Sequence, residues 1–403
     1  MNSKLKLLAL ASALAVISQV PVASAAPAER EVDQSDNVKL IANFEYKNED
    51  KSFFGGGTDM AFQGKYVYAM QQGAQGGVHV FKHSKSGTPK KISFIPCPGE
   101  QNDVASVKPG LIALATHSSQ CGGGTAGGVR LLDVSNPKQG KQLGVVDGLP
   151  GGSHTLTVYP GTSIIYASPG GLANGGGTEQ IIDASNPAKP EVAATFTPQR
   201  AGCHDLEFYI GKDKKIAVCA GAGETQIWDV SDPLAPVTIA HIPNPANQFN
   251  HSAAISHDGN LLIVGDEAIA GSECVGGPSG ALFSYDITNP TLPILKGYFG
   301  IDRGPLPAGS SNVDRNTWCS SHLFNFVPGT YTLVSSWYAA GMNVIDFSNP
   351  TTPKEIAHYM GEGDDITNYW SAYWFDGRIY ANDRVKGLDV FEVKGLAEKG
   401  HNQ

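Results

Sequence analysis

Apolar residues fall in short runs along nearly the whole chain, and turn-forming residues break them at near-regular intervals. Thr225-Gln-Ile-Trp-Asp229 is one such run, followed by Val-Ser-Asp-Pro233 and a second run, Val237-Thr-Ile-Ala-His-Ile242. An apolar run, an Asx-Pro turn and another apolar run predict a β-hairpin. The phrase recurs as Asp133-Val-Ser-Asn-Pro137, Asp183-Ala-Ser-Asn-Pro187, Asp286-Ile-Thr-Asn-Pro290 and Asp346-Phe-Ser-Asn-Pro350. Its Asp and Ser side chains suit local hydrogen bonds to the turn backbone, and its proline stops the strand. Two further strands precede each phrase, as in His204-Asp-Leu-Glu-Phe-Tyr-Ile210 and Lys215-Ile-Ala-Val-Cys219. Four strands, A to D, in about 47 residues make a unit the size of a propeller blade. Beyond the first residues no segment shows a helical period, and 48 glycines and 25 prolines favour turns over helices.

Seven units can be counted, with A strands starting near Asp59, Asp103, His154, His204, His251, His322 and Ser371. The last unit lacks a D strand, whereas residues 37–46 read as a D strand with no blade before them. The two complete one another and close the ring, which removes free sheet edges. The fold expected is all-β: a seven-bladed β-propeller spanning 37–395, with an N-terminal strand closing the last blade.

The repeated Asp-x-Ser-Asn-Pro-x-x-Pro phrase after a strand such as Met342-Asn-Val-Ile-Asp346 resembles the LVIVD-repeat family of exported bacterial propellers. The resemblance runs from Val38 to Val393. It implies the fold and brings no agreed activity.

The N-terminus changes the compartment. Lys4 and Lys6 precede an apolar stretch, Leu7 to Val20, and Ala23-Ser24-Ala25 fits a cleavage site. Residues 1–25 therefore read as a secretory signal peptide, with 26–36 and 396–403 expected to be flexible. The apolar stretch is short for a membrane span, so a secreted or periplasmic protein without a span is expected. A formal charge of −9 excludes the basic footprint of a nucleic-acid binder. Six cysteines, in no CxxC pair, are expected as disulfides in an oxidising compartment. The blade register places them all at one face, here called the top, and pairs Cys97 with Cys121, Cys203 with Cys219, and Cys274 with Cys319.

The same register puts Asp59, Asp103, His154, His204, His251, His322 and Ser371 at equivalent positions around the channel. Neutral imidazoles converging there suit Fe, Cu or Zn and suit Ca²⁺ less well. The four histidines are the candidate ligands. Asp59, Asp103 and Asp205 are candidates to orient imidazole N–H groups. His117, Glu267, Arg384 and Ser371 are further candidates for the channel. The bland reading is a polar ring that fills the channel with hydrogen bonds and water.

Three functions are compatible with this pattern. The first is a metalloprotein, by fold-level analogy similar to carotenoid cleavage oxygenases and to the selenium-binding or methanethiol oxidase family. Both hold a metal on central histidines, but their sequence phrases are absent here. The second is a non-catalytic binding or scaffold propeller, a monomer whose top face meets a small molecule or protein. The third is a metal-independent lyase or hydrolase using a channel histidine as general base.

Overall fold

A computed structural model describes residues 30–47, 55–99, 103–117, 121, 127–169, 177–200, 202–268, 276–303 and 318–396. Residues 1–25, expected as a signal peptide, Cys274, His401 and nearly all of the 396–403 tail lie outside the described residues. Seven antiparallel sheets follow one another as blades. Blade four is typical: strands Cys203–Ile210, Lys215–Gly221, Thr225–Asp229 and Val237–Ile242 pair in order from the channel outward. The apart-from-strand structure includes one three-residue 3₁₀ turn, Gly363–Asp365.

The repeated phrase folds as its chemistry requires. In all five copies the leading aspartate accepts the N–H two residues on, at 2.7–3.0 Å: Asp133 from Ser135, Asp183 from Ser185, Asp229 from Ser231, Asp286 from Thr288 and Asp346 from Ser348. The Asn or Asp before each proline repeats the bond one turn later, for example Asp232 to Leu234 at 2.9 Å. Two consecutive Asx turns thus reverse the chain between strands C and D.

The ring closes as expected. Val38–Phe44 pairs antiparallel with Gly387–Val393, matching Val38 to Val393 and Phe44 to Leu388. Ala42, Phe44 and Tyr46 are buried against Leu388, Val390 and Tyr380. The stretch before it departs from expectation. Within 26–36, expected to be flexible, Val32–Gln34 forms a strand that extends blade six beyond Lys354–Gly361. Side chains fix it: Arg30 makes two bonds to the buried Asp389, at 2.7 and 3.2 Å, and Ser35 and Asp33 bond His358. Composition gave no hint of this, because the anchors lie more than 320 residues away.

Neighbouring A strands are laced by hydroxyls. Thr155 donates to the His204 carbonyl at 2.6 Å, Thr157 to Leu206 at 2.8 Å, Ser371 to Thr58 at 2.7 Å, and Ser252 to His322. This lacing holds the channel wall that carries the site.

Candidate metal centre in the channel

Strand pairing corrects the register of the ring. Counting from the residues that pair with the phrase aspartates in blades two to six, and from the matching strand positions in blades one and seven, Met60, Val104, Leu156, Leu206, Ala253, Phe324 and Ala372 are equivalent: they face Ala69, Leu114, Ala167, Cys219, Val264, Ser335 and Ala381. Two residues before each lie Thr58, position 102, His154, His204, His251, His322 and Trp370. The four histidines are therefore truly equivalent and fall in four successive blades. Asp59, Asp103 and Ser371 are not in their layer. They belong one residue further in, with Thr155, Asp205, Ser252 and Leu323. The sequence pattern misled because the A strands bulge at this point, between Cys203 and Asp205, Asn250 and Ser252, and Tyr369 and Ser371. A bulge adds a residue that spacing cannot reveal.

The layer of histidines has a repeated anchor. The Nδ1 of His204 lies 3.0 Å from the His251 carbonyl, and that of His322 lies 2.5 Å from the Trp370 carbonyl. His251 leans on the His322 carbonyl in the same sense, although its Nδ1 falls short of a full hydrogen bond. A carbonyl only accepts, so its partner assigns the proton to Nδ1 and leaves Nε2 with a bare lone pair. His154 differs: its Nδ1 is 2.7 Å from Nε2 of His117, and its Nε2 is 2.7 Å from Nε2 of His204. With His204 Nε2 as acceptor, His154 donates from Nε2 and receives from His117. Rings of His204 and His251, and of His251 and His322, stand 4.0 Å apart between centroids.

Burial keeps these imidazoles neutral. It pushes His251 down to about 3 and holds His154, His204 and His322 well below the usual range, with the neighbouring imidazoles adding to the effect. Burial lowers His117 as well.

Glu267, at the end of strand B in blade five, meets this row. Its carboxylate is 3.7 Å from Nε2 of His251 and 3.9 Å from Nε2 of His322. Among the described residues these three form a group whose ligand atoms all lie within 4.8 Å, and which could hold a metal ion. Tyr338 donates to Glu267 at 2.7 Å and packs 4.6 Å from the His322 ring. Tyr338 adopts φ +46°, unusual for a bulky residue. Arg384 is fully buried, with its guanidinium 4.7 Å over the Trp370 ring and beside the Tyr338 hydroxyl. Both therefore border the centre.

The remaining sequence candidates do other work. Asp59, Asp103 and Asp205 do not orient the imidazoles; backbone carbonyls take that role. Asp59 and Asp103 hydrogen-bond one another, Asp103 also accepts from Val104 and Leu156, and Tyr373 donates to Asp59 at 2.6 Å. Asp205 accepts the Leu206 N–H. Ser371 is one of the lacing hydroxyls. These carboxylates line a cavity of about 260 Å³ that runs down the channel from the histidines.

Two disulfides stand at the channel mouth, Cys97–Cys121 and Cys203–Cys219, with Cα separations of 4.4 and 5.2 Å. Cys319 is disulfide-bonded, and its expected partner Cys274 lies outside the described residues. Disulfides fit an oxidising environment, and no described helix is long and apolar enough to cross a membrane.

Residues 326–361, strands B to D of blade six with their approach, match the family model described as LVIVD repeat. The chain carries an LVIVD repeat. The other phrase-bearing blades share the same doubled Asx turn. By shape the chain is similar to the β-propeller domain of Cps50 (Swd1) from Myceliophteria thermophila, with TM-score 0.61 and 11% identity over 89% of this chain and 100% of that one. Such low identity supports the fold alone. Among curated proteins none matches the sequence.

Sequence reasoning missed Trp370, Tyr373 and Glu207 at the site. Trp370 was the legible one: it precedes Ser371 as His204 precedes Asp205, had the bulge been recognised.

Proposed function

We propose that this LVIVD-repeat propeller is an exported metalloprotein that binds one transition-metal ion in its channel, on Nε2 of His251 and His322 and the carboxylate of Glu267. His204 and His154 extend the same row of imidazoles, joined to one another by a hydrogen bond. The observation that carries the reading is the anchor: His204 and His322 turn Nδ1 to the next blade's carbonyl and His251 leans the same way, so that the Nε2 lone pairs of His251 and His322 stand beside the carboxylate of Glu267. In a merely structural ring those nitrogens would be satisfied by hydrogen-bond donors. A bare lone pair beside an anion is unfavourable unless a cation stands between them. Two ligands at about 2.1 Å from one ion lie at most about 4.2 Å apart, so the 3.7 and 3.9 Å separations are compatible with a shared ion.

Two imidazoles and one carboxylate are the set used by open-site Zn enzymes and by non-haem Fe(II) oxygenases. A coordination position left free would face the cavity, where a small molecule could be polarised or oxidised. We assign this centre an oxidase- or oxygenase-type role in the periplasm or outside the cell. Elemental analysis of protein purified without chelator tests it. About one Fe, Cu or Zn per chain is expected, and His322→Ala and Glu267→Gln should each weaken rebinding at least tenfold. A metal-free protein that takes up none of the three at micromolar concentration would refute the reading and leave a binding propeller.

A further inference from the structure

The inner end of the cavity has a chemistry that the metal centre does not use. Asp59, Asp103, Asp205 and Glu207 line it together with the aromatic rings of Phe62, Phe324 and Tyr373. Asp59, Asp103 and Asp205 all act electrostatically on the Tyr373 hydroxyl, so strands of blades one, two and four converge there with blade seven. Three of the four carboxylates have internal partners: Asp59 and Asp103 share a hydrogen bond, Asp103 accepts two backbone N–H groups, and Asp205 accepts the Leu206 N–H. Glu207 has none among the described residues. Its side chain is partly buried and lines the cavity. Burial accordingly raises Glu207 to about 8 and Asp205 to about 7, each with a push from its neighbouring carboxylates. A carboxyl without an internal partner in an acidic and aromatic cavity suits a cation.

The shape of the cradle selects the kind of cation. Among the described residues the grouping close enough to hold a metal is the histidine–glutamate one, and these four carboxylates do not form another. A bare ion would be too small to satisfy them, whereas an ammonium group with a carbon body would fill the space. Met60, Leu156, Leu206, Ala253 and Leu323 offer that body an apolar wall. Glu207 is three residues along the strand from His204, roughly 10 Å at the usual rise.

We propose that the inner channel is a binding site for a small organic ammonium ion, with its charged head between Glu207 and Asp205 and its apolar body directed toward the histidine row. The site is independent of metal occupancy, so it is tested on chelator-treated protein. Calorimetric titration would compare phenethylammonium and butylammonium with their neutral counterparts, 2-phenylethanol and butanol. Expected are saturable ammonium binding, at least tenfold weaker alcohol binding, and a tenfold or larger loss of ammonium affinity in both Glu207→Gln and Asp205→Asn. Circular dichroism would establish that each variant is folded, and the Glu267→Gln protein should bind the ammonium as the parent does. The proposal is overturned if no ammonium binds at millimolar concentration, if alcohols bind as well as amines, if folded Glu207→Gln keeps full affinity, or if Ca²⁺ binds there and amines do not. Metal uptake by the same variants reads the metal centre separately, so either claim can fail alone.

Discussion

Glu179 offers a sharp test of the electrostatics inside a blade. It begins strand C of blade three and is fully buried. One oxygen accepts from Ser168 at 2.9 Å, and the other, Oε1, has no hydrogen-bond partner. Burial raises this carboxyl from 4.5 to about 8, opposed by Ser168 and reinforced by Asp205. At neutral pH the native protein therefore holds a proton that the unfolded chain has released. Stability from this group is fully present below pH 4.5 and falls as pH rises to about 8. Between pH 4.5 and 7 the interval is 2.5 units, worth about 1.36 kcal/mol each, so the loss is at most about 3 kcal/mol. Glu179→Gln keeps the shape and removes the charge. It should be near neutral at pH 4 and more stable than the parent by up to about 3 kcal/mol at pH 7. Urea denaturation of both proteins from pH 4 to 8.5 measures the difference. Parallel pH profiles, or a gain largest at pH 4, would refute the reasoning.

Two other predictions concern stability. Arg30→Ala leaves Asp389 buried without its cation and should cost about 3 kcal/mol in urea denaturation; an unchanged midpoint would show that the N-terminal strand is not held by this pair. Replacing Cys203 and Cys219 together by alanine opens a loop of 16 residues and should cost about 3 kcal/mol. Unchanged stability would mean that the bond next to His204 does not constrain the unfolded chain.

Fold and site were legible to different depths. The doubled Asx-Pro phrase is local chemistry, so it announces each C–D hairpin directly, and the orphan strand at 38–44 announces closure. The equivalence of His154, His204, His251 and His322 was readable because the spacing of whole blades carries it. The positions of Asp59, Asp103 and Ser371 were misjudged by one residue, since a β-bulge leaves no mark in an apolar pattern. Glu267 was visible as a strand end, but its approach to His251 and His322 depends on the angle between blades five and six. The imidazole anchors were out of reach, because backbone carbonyls have no identity in sequence. Arg30 and Asp389 meet only after the ring has closed, and nothing near either residue signals the other.

Anomalous diffraction from crystals of the protein as purified, collected at and below the absorption edges of Fe, Cu and Zn, tests the metal centre most directly. The account predicts one strong peak in the channel, roughly 2.0–2.2 Å from Nε2 of His251, Nε2 of His322 and a carboxylate oxygen of Glu267. A channel without a peak, or a peak bound elsewhere while these three residues hold only water, would contradict it.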